Sequence, residues 1–163
     1  MLHEISPRVY HPEYINKKAV LSAYSLCYKG NSVLLIKDKK TDDLRIPTYK
    51  DLKNDFPDMY KELHKSSVYL CAVDKEEFFI INSEDFSFQY ENNKKSYVFE
   101  DSVFIRNFRP SYMAFVVVTG AHVYKWLKSR VYCGYCGTKN KLSKKERAVL
   151  CPNCKNTEYP KIS

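Results

Sequence analysis

The chain has 163 residues, 44% hydrophobic and 28% charged, an ordinary globular balance that excludes a disordered or collagen-like polymer. Its formal charge is +8, and apolar runs such as Ala114–Val118 fall far short of the roughly 20 residues a membrane-spanning helix needs. Met1–Pro7 has neither the basic start nor the apolar core of a signal peptide, so a cytoplasmic protein with no membrane association is expected.

The charge is unevenly placed. Residues 1–122 hold 17 basic and 17 acidic side chains, whereas residues 123–163 hold 10 basic and 2 acidic ones. All of the excess therefore sits in the last quarter, a composition break that predicts a second module. The expected division is an N-terminal α+β domain over 1–100, connecting helices over 101–130 and a zinc ribbon over 131–163.

In chain order, Ala19–Tyr28 and Ser32–Ile36 flank Lys29-Gly30-Asn31, which predicts a hairpin with Gly30 at positive φ. Pro47–Leu52 suits a helix start, with Thr48 three residues before Asp51 as in a capping box. Val68–Val73 and Phe78–Ile81 flank Asp74–Glu77, a second predicted hairpin. Phe86, Phe88 and Tyr90 alternate as on an edge strand, one that would meet either the core or a second subunit. Tyr97-Val98-Phe99 is a short strand, giving a small antiparallel sheet with helices. Asp101 is placed to cap a short helix reaching Phe108. Pro110 then opens a long helix whose stripe is Tyr112, Phe115, Val116, Thr119, Val123, Trp126 and Leu127. Gly120 is expected to weaken that helix by about 1 kcal/mol relative to Ala.

Six cysteines divide into two classes. Cys27 and Cys71 stand alone in apolar runs and are expected to be buried small hydrophobes. Cys133, Cys136, Cys151 and Cys154 follow C-x2-C-x14-C-x2-C. Two thiolates on each tight turn supply the four soft ligands of a tetrahedral site. Gly134 and Gly137 fall where the first knuckle must turn tightly, and Pro152 stiffens the second. The module has few apolar residues, Leu142, Val149 and Leu150 chief among them, so burial alone does not fold it and bound metal must supply that free energy. The expectation is structural Zn2+, with iron the alternative that tetrahedral S4 spacing leaves open.

Lysines beside Tyr132, Tyr135 and Tyr159 offer a surface for RNA, with Lys144, Lys145 and Arg147 as its contacts. Against this, four thiolates on one Zn2+ carry net −2, which reduces the module from +8 to +6. A solvated or partner-facing surface is the alternative.

Trp126–Gly137 and Cys151–Ser163 together resemble the middle of NADH pyrophosphatases, the zinc-ribbon-bearing branch of the Nudix hydrolases. That family has a helix with an aromatic, an aromatic-C-G-x-C-G knuckle, a C-x-x-C knuckle and an aromatic-Pro-basic step, here Tyr159-Pro160-Lys161. Arg45–Leu52 is more loosely similar to a Leu-Pro-Thr segment of the family's N-terminal domain. The likeness is specific over 121–163 and weak over 1–120. It implies hydrolysis of the pyrophosphate of NADH or NAD to nicotinamide mononucleotide and AMP, a homodimer and, in some members, removal of NAD caps from RNA. It also implies that Tyr159 lies beside the nucleotide pocket; a ring packing the ribbon onto the next strand is the alternative.

Nudix catalysis uses G-x5-E-x7-R-E-U-x-E-E-x-G-U (U aliphatic), whose glutamates hold Mg2+ or Mn2+. This chain lacks that box. Glu76-Glu77 is its one Glu-Glu pair and is expected to be a solvated turn. His3, His11, His64 and His122 form no ligand or triad spacing. Because Lys161-Ile162-Ser163 stops about where a first Nudix strand would begin, the expected role is the non-catalytic N-terminal and ribbon part of a longer NAD(H) diphosphatase. A free-standing ribbon that binds RNA or a protein is the second class.

Overall fold

The computed structural model describes residues 5–83, 85–105 and 108–161; His3, Ile162 and Ser163 lie outside them. The first elements are β1 (Tyr10–His11), β2 (Tyr24–Leu26), β3 (Tyr28–Lys29), β4 (Ser32–Asp38) and β5 (Leu44–Arg45). Next come α1 (Tyr49–Asp55), α2 (Tyr60–Lys65), β6 (Ser67–Val73), β7 (Glu76–Ile81) and β8 (Lys95–Asp101). Two helices, α3 (Ser102–Ile105) and α4 (Ser111–Ser129), then lead to β9 (Lys141–Leu142), β10 (Val149–Leu150) and β11 (Thr157–Glu158). The fold is mixed α+β, with a C-terminal cysteine cluster.

Continuous apolar runs mark strands covered on both faces. In β4, Val33 and Leu35 join the core under α4, while Leu34 and Ile36 join a second cluster with Leu52, Phe56 and Leu63. Gly30, at φ +59°, closes the β3–β4 hairpin as expected. Ala19–Tyr28 is not one strand, however. Its chain changes sheets at Cys27: β2 runs parallel to β7, and β3 pairs with β4. The expected Tyr97–Phe99 strand is the seven-residue β8, paired along all of β4.

The other sheet has the order β1-β6-β7-β2. Its β6–β7 turn is Asp74-Lys75, with Asp74 at φ +53°, shorter than expected. Glu76 and Glu77 therefore belong to the strand and are not a solvated turn. Glu76 accepts a 2.7 Å hydrogen bond from the Tyr112 hydroxyl, and Glu77 pairs with Lys17. In β6 the register shifts between Tyr69 and Cys71, so Leu70 is an inserted residue. Leu70 and Cys71 consequently both enter the core under α4.

Thr48 and Asp51 form the expected capping box at α1, and Arg45 donates to both Asp51 oxygens at 2.6 and 3.0 Å. Residues 85–91 form no regular strand; Phe88 packs its ring edge-on to Phe56 with centroids 5.3 Å apart. Helix α4 buries Tyr112, Val116, Val123 and Leu127 of its predicted stripe, while Phe115, Thr119 and Trp126 flank it half-buried. Its buried face also takes in Met113, Ala114, Val117, Gly120 and Tyr124. Among the described residues no helix is long and apolar enough to cross a membrane.

Candidate metal centre

Helix α4 ends at Ser129, and Asn140 pins the chain that leaves it, donating from its side chain to the Arg130 carbonyl and from its backbone to Val131. Beyond it, β11-β10-β9 form a small antiparallel sheet, with β9 and β10 between the two knuckles in sequence and β11 after the second. The knuckles repeat one hydrogen-bond pattern. Cys133 N donates to Thr138 O and Gly137 N to Cys133 O, at 2.7 and 2.9 Å. In the second knuckle, Cys151 N donates to Asn156 O and Lys155 N to Cys151 O, at 2.9 and 3.1 Å. The residue after each pair is left-handed: Gly137 at φ +79° and Lys155 at φ +65°. The predicted role of Gly137 holds, and in the second knuckle a lysine adopts the same conformation at a steric cost.

These turns bring the four sulfurs within 4.8 Å of one another. Cys133 Sγ lies 3.6 Å from Cys154 Sγ, and Cys136 Sγ lies 3.4 Å from Cys151 Sγ. A tetrahedron with Zn–S bonds of about 2.3 Å has edges of about 3.8 Å, close to these separations. Backbone amides approach the sulfurs: Tyr135 N to Cys133 and Cys154 N to Cys151, each at 3.4 Å. Asn153 Nδ2 lies 3.6 Å from Cys136 Sγ.

Without a cation these thiols compete for charge. The Thr138 hydroxyl and backbone, with Asn153, draw Cys136 down to about 5. Cys154 goes the other way: hydrogen bonding at Asn156 lowers it, but desolvation and the other three sulfurs carry it up to about 12. A divalent cation resolves the conflict by stabilising all four thiolates together. Donor chemistry, spacing and amide contacts thus fit zinc as a structural ion. The two lone cysteines stay apart from this centre, both buried, with burial pushing the Cys71 thiol up to about 12.

One contact between the ribbon and the sheets had no sequence signal. Sequence places Arg147 with the surface lysines Lys144 and Lys145, but its guanidinium donates to the carbonyls of Tyr69 and Leu70, at the β6 bulge. The inserted residue exposes those carbonyls, and Arg147 satisfies them. Tyr14 adds a second tie, its hydroxyl donating to Ser143 O at 3.3 Å. Tyr159 is 56% exposed and donates to Glu146 Oε1 at 2.9 Å, a position on the ribbon surface. His64 Nε2 sits 2.7 Å from Ala19 O, whereas His11 and His122 are exposed.

Four clustered thiolates on two knuckles joined by a three-stranded sheet define a zinc ribbon. Residues 128–159 match the family described as the NADH pyrophosphatase zinc ribbon domain. A 44-residue stretch is 41% identical to the NAD-capped RNA hydrolases NudC of Escherichia coli (strain K12 / DH10B) and of Shigella boydii serotype 18 (strain CDC 3083-94 / BS512). It covers 27% of this chain and 17% of each relative's length. The C-terminal module is therefore similar to the zinc ribbon of NADH pyrophosphatases, in agreement with the resemblance carried by its knuckles.

Proposed function

We propose that this chain serves as the N-terminal and ribbon part of an NAD(H) diphosphatase, which hydrolyses the pyrophosphate of NADH or NAD, free or as an RNA cap, to nicotinamide mononucleotide and AMP. The observation that supports this reading is the four-sulfur cluster lying inside residues 128–159, the segment that matches the NADH pyrophosphatase zinc ribbon family. Catalysis, with its Mg2+ or Mn2+, belongs to a Nudix domain beyond these residues. The chain's own part is structural: residues 1–100 and the helices over 101–130 form a platform, and the ribbon over 131–163 fixes the direction in which the polypeptide continues. Tyr159 lies beside the nucleotide pocket in this arrangement, and the working unit is a homodimer in the cytoplasm.

The test is NADH hydrolysis with Mg2+ by the complete gene product and by this chain alone. Release of AMP by the complete product, with none from the chain, supports the reading. Turnover by the isolated chain contradicts its non-catalytic role, and no turnover by the complete product contradicts the diphosphatase assignment.

A further inference from the structure

Four of the eight lysines in residues 123–163 converge at one place on the ribbon. Lys141, Lys144, Lys145 and Lys155 rim a hollow of about 490 Å³, and no acidic side chain is among its lining residues within the described part of the chain. The floor is aliphatic: Leu142 and Leu150, 42% and 38% exposed, with Pro152 beside them. Lys155 Nζ donates to Pro152 O at 2.9 Å, which fixes one ammonium at the rim. Cys151 also lines the hollow, so its shape depends on the metal-ordered knuckle.

Each half of this surface selects against a different ligand. Leu142 and Leu150 gain only by covering with apolar surface, which a phosphate chain does not supply. Nucleobases stack best on aromatic faces, yet the ribbon's exposed rings, Tyr132, Tyr135 and Tyr159, do not line the hollow. The rim in turn disfavours a basic or neutral apolar segment and attracts carboxylates.

We propose that this hollow docks an acidic peptide segment carrying an apolar side chain, which covers Leu142 and Leu150 while flanking carboxylates meet the four lysines. The inference goes beyond the diphosphatase assignment and does not depend on it. Docking requires the zinc-loaded ribbon, because Cys151 and Pro152 belong to the second knuckle.

Fluorescence anisotropy on the zinc-loaded chain tests it, using a labelled twelve-residue peptide with two central leucines flanked by glutamates. The comparison probes are the same peptide with serines for leucines and a twelve-nucleotide single-stranded RNA. Lys144→Glu with Lys145→Glu is expected to weaken the leucine peptide at least ~10-fold. Leu142→Ser, or Leu142→Thr should the serine variant lose zinc, is expected to weaken it about 5-fold, as is exchanging the peptide's leucines for serines. Zinc content of each variant reports whether its ribbon is folded. Equal binding of the two peptides, RNA binding tighter than the leucine peptide and indifferent to Leu142→Ser, or no peptide binding tighter than ~1 mM would each overturn the proposal.

Discussion

The Tyr28 hydroxyl occupies the space that a side chain at Gly120 would fill. A Cβ built at Gly120 collides with that oxygen and comes within 2.9 Å of Leu26 Cδ1. Through this gap Tyr28 donates a 2.6 Å hydrogen bond to the Val117 carbonyl, fastening β3 to the middle of α4. The glycine that costs the helix intrinsic stability is thus where side chains of the sheets approach the helix too closely to admit a Cβ.

Helix propensity alone predicts that Gly120→Ala stabilises the protein by about 1 kcal/mol. Overpacking against Tyr28 and Leu26 costs about 1–3 kcal/mol, so net destabilisation is expected. Adding Tyr28→Phe removes the clashing oxygen, and the double variant should lose less stability than the two single losses together. Urea midpoints for the four proteins of this cycle measure it.

Arg147 gives a second, independent prediction. Its two hydrogen bonds to the β6 bulge join the ribbon to the sheets, and its side chain is partly buried there. Arg147→Ala leaves the Tyr69 and Leu70 carbonyls without that partner, at a cost of about 1–3 kcal/mol. Hydrogen exchange should show protection falling over 143–148 and around Leu70, with zinc retained. Unchanged exchange at both places would contradict a docking role.

Local signals were readable where they lie within a few residues of one another. Gly30, the Thr48–Asp51 capping box and the cysteine knuckles are of this kind, and each appears as expected. The two-faced apolar runs of β4 and β7 also gave their strands away. Long-range pairing did not. The parallel pairing of β2 with β7 and the extension of β8 through Lys95, Ser96, Glu100 and Asp101 depend on partners distant in sequence. Polar residues at both ends concealed that strand. Likewise, Arg147 looks like its lysine neighbours until the β6 bulge supplies it with two carbonyls.

Asp51 predicts an acid-side loss of stability. Burial alone would raise its carboxyl, but hydrogen bonds from Arg45, then from Thr48, hold it down at about 2, against an ordinary 3.8. As pH falls, the unfolded chain binds this proton before the folded one does. The contribution is therefore complete above about pH 4 and is lost between about pH 4 and 2. Solvent screening reduces it to on the order of 1 kcal/mol. Urea midpoints across that window should fall more steeply for the wild type than for Asp51→Asn; parallel curves would contradict this role.

Metal removal should divide the molecule. The sheets and α4 have their own apolar clusters, whereas the ribbon's buried side chains include Cys133 and Cys151 themselves. Chelation, or Cys151→Ser, should open residues 131–161 to proteolysis while the strands through β8 stay protected. In the first knuckle, Gly137→Ala should destabilise the ribbon by about 1–2 kcal/mol through its left-handed backbone.

Elemental analysis of the purified chain tests the account most directly. One zinc per chain is the predicted result. Iron at that stoichiometry, or a folded ribbon with no bound metal, would contradict it.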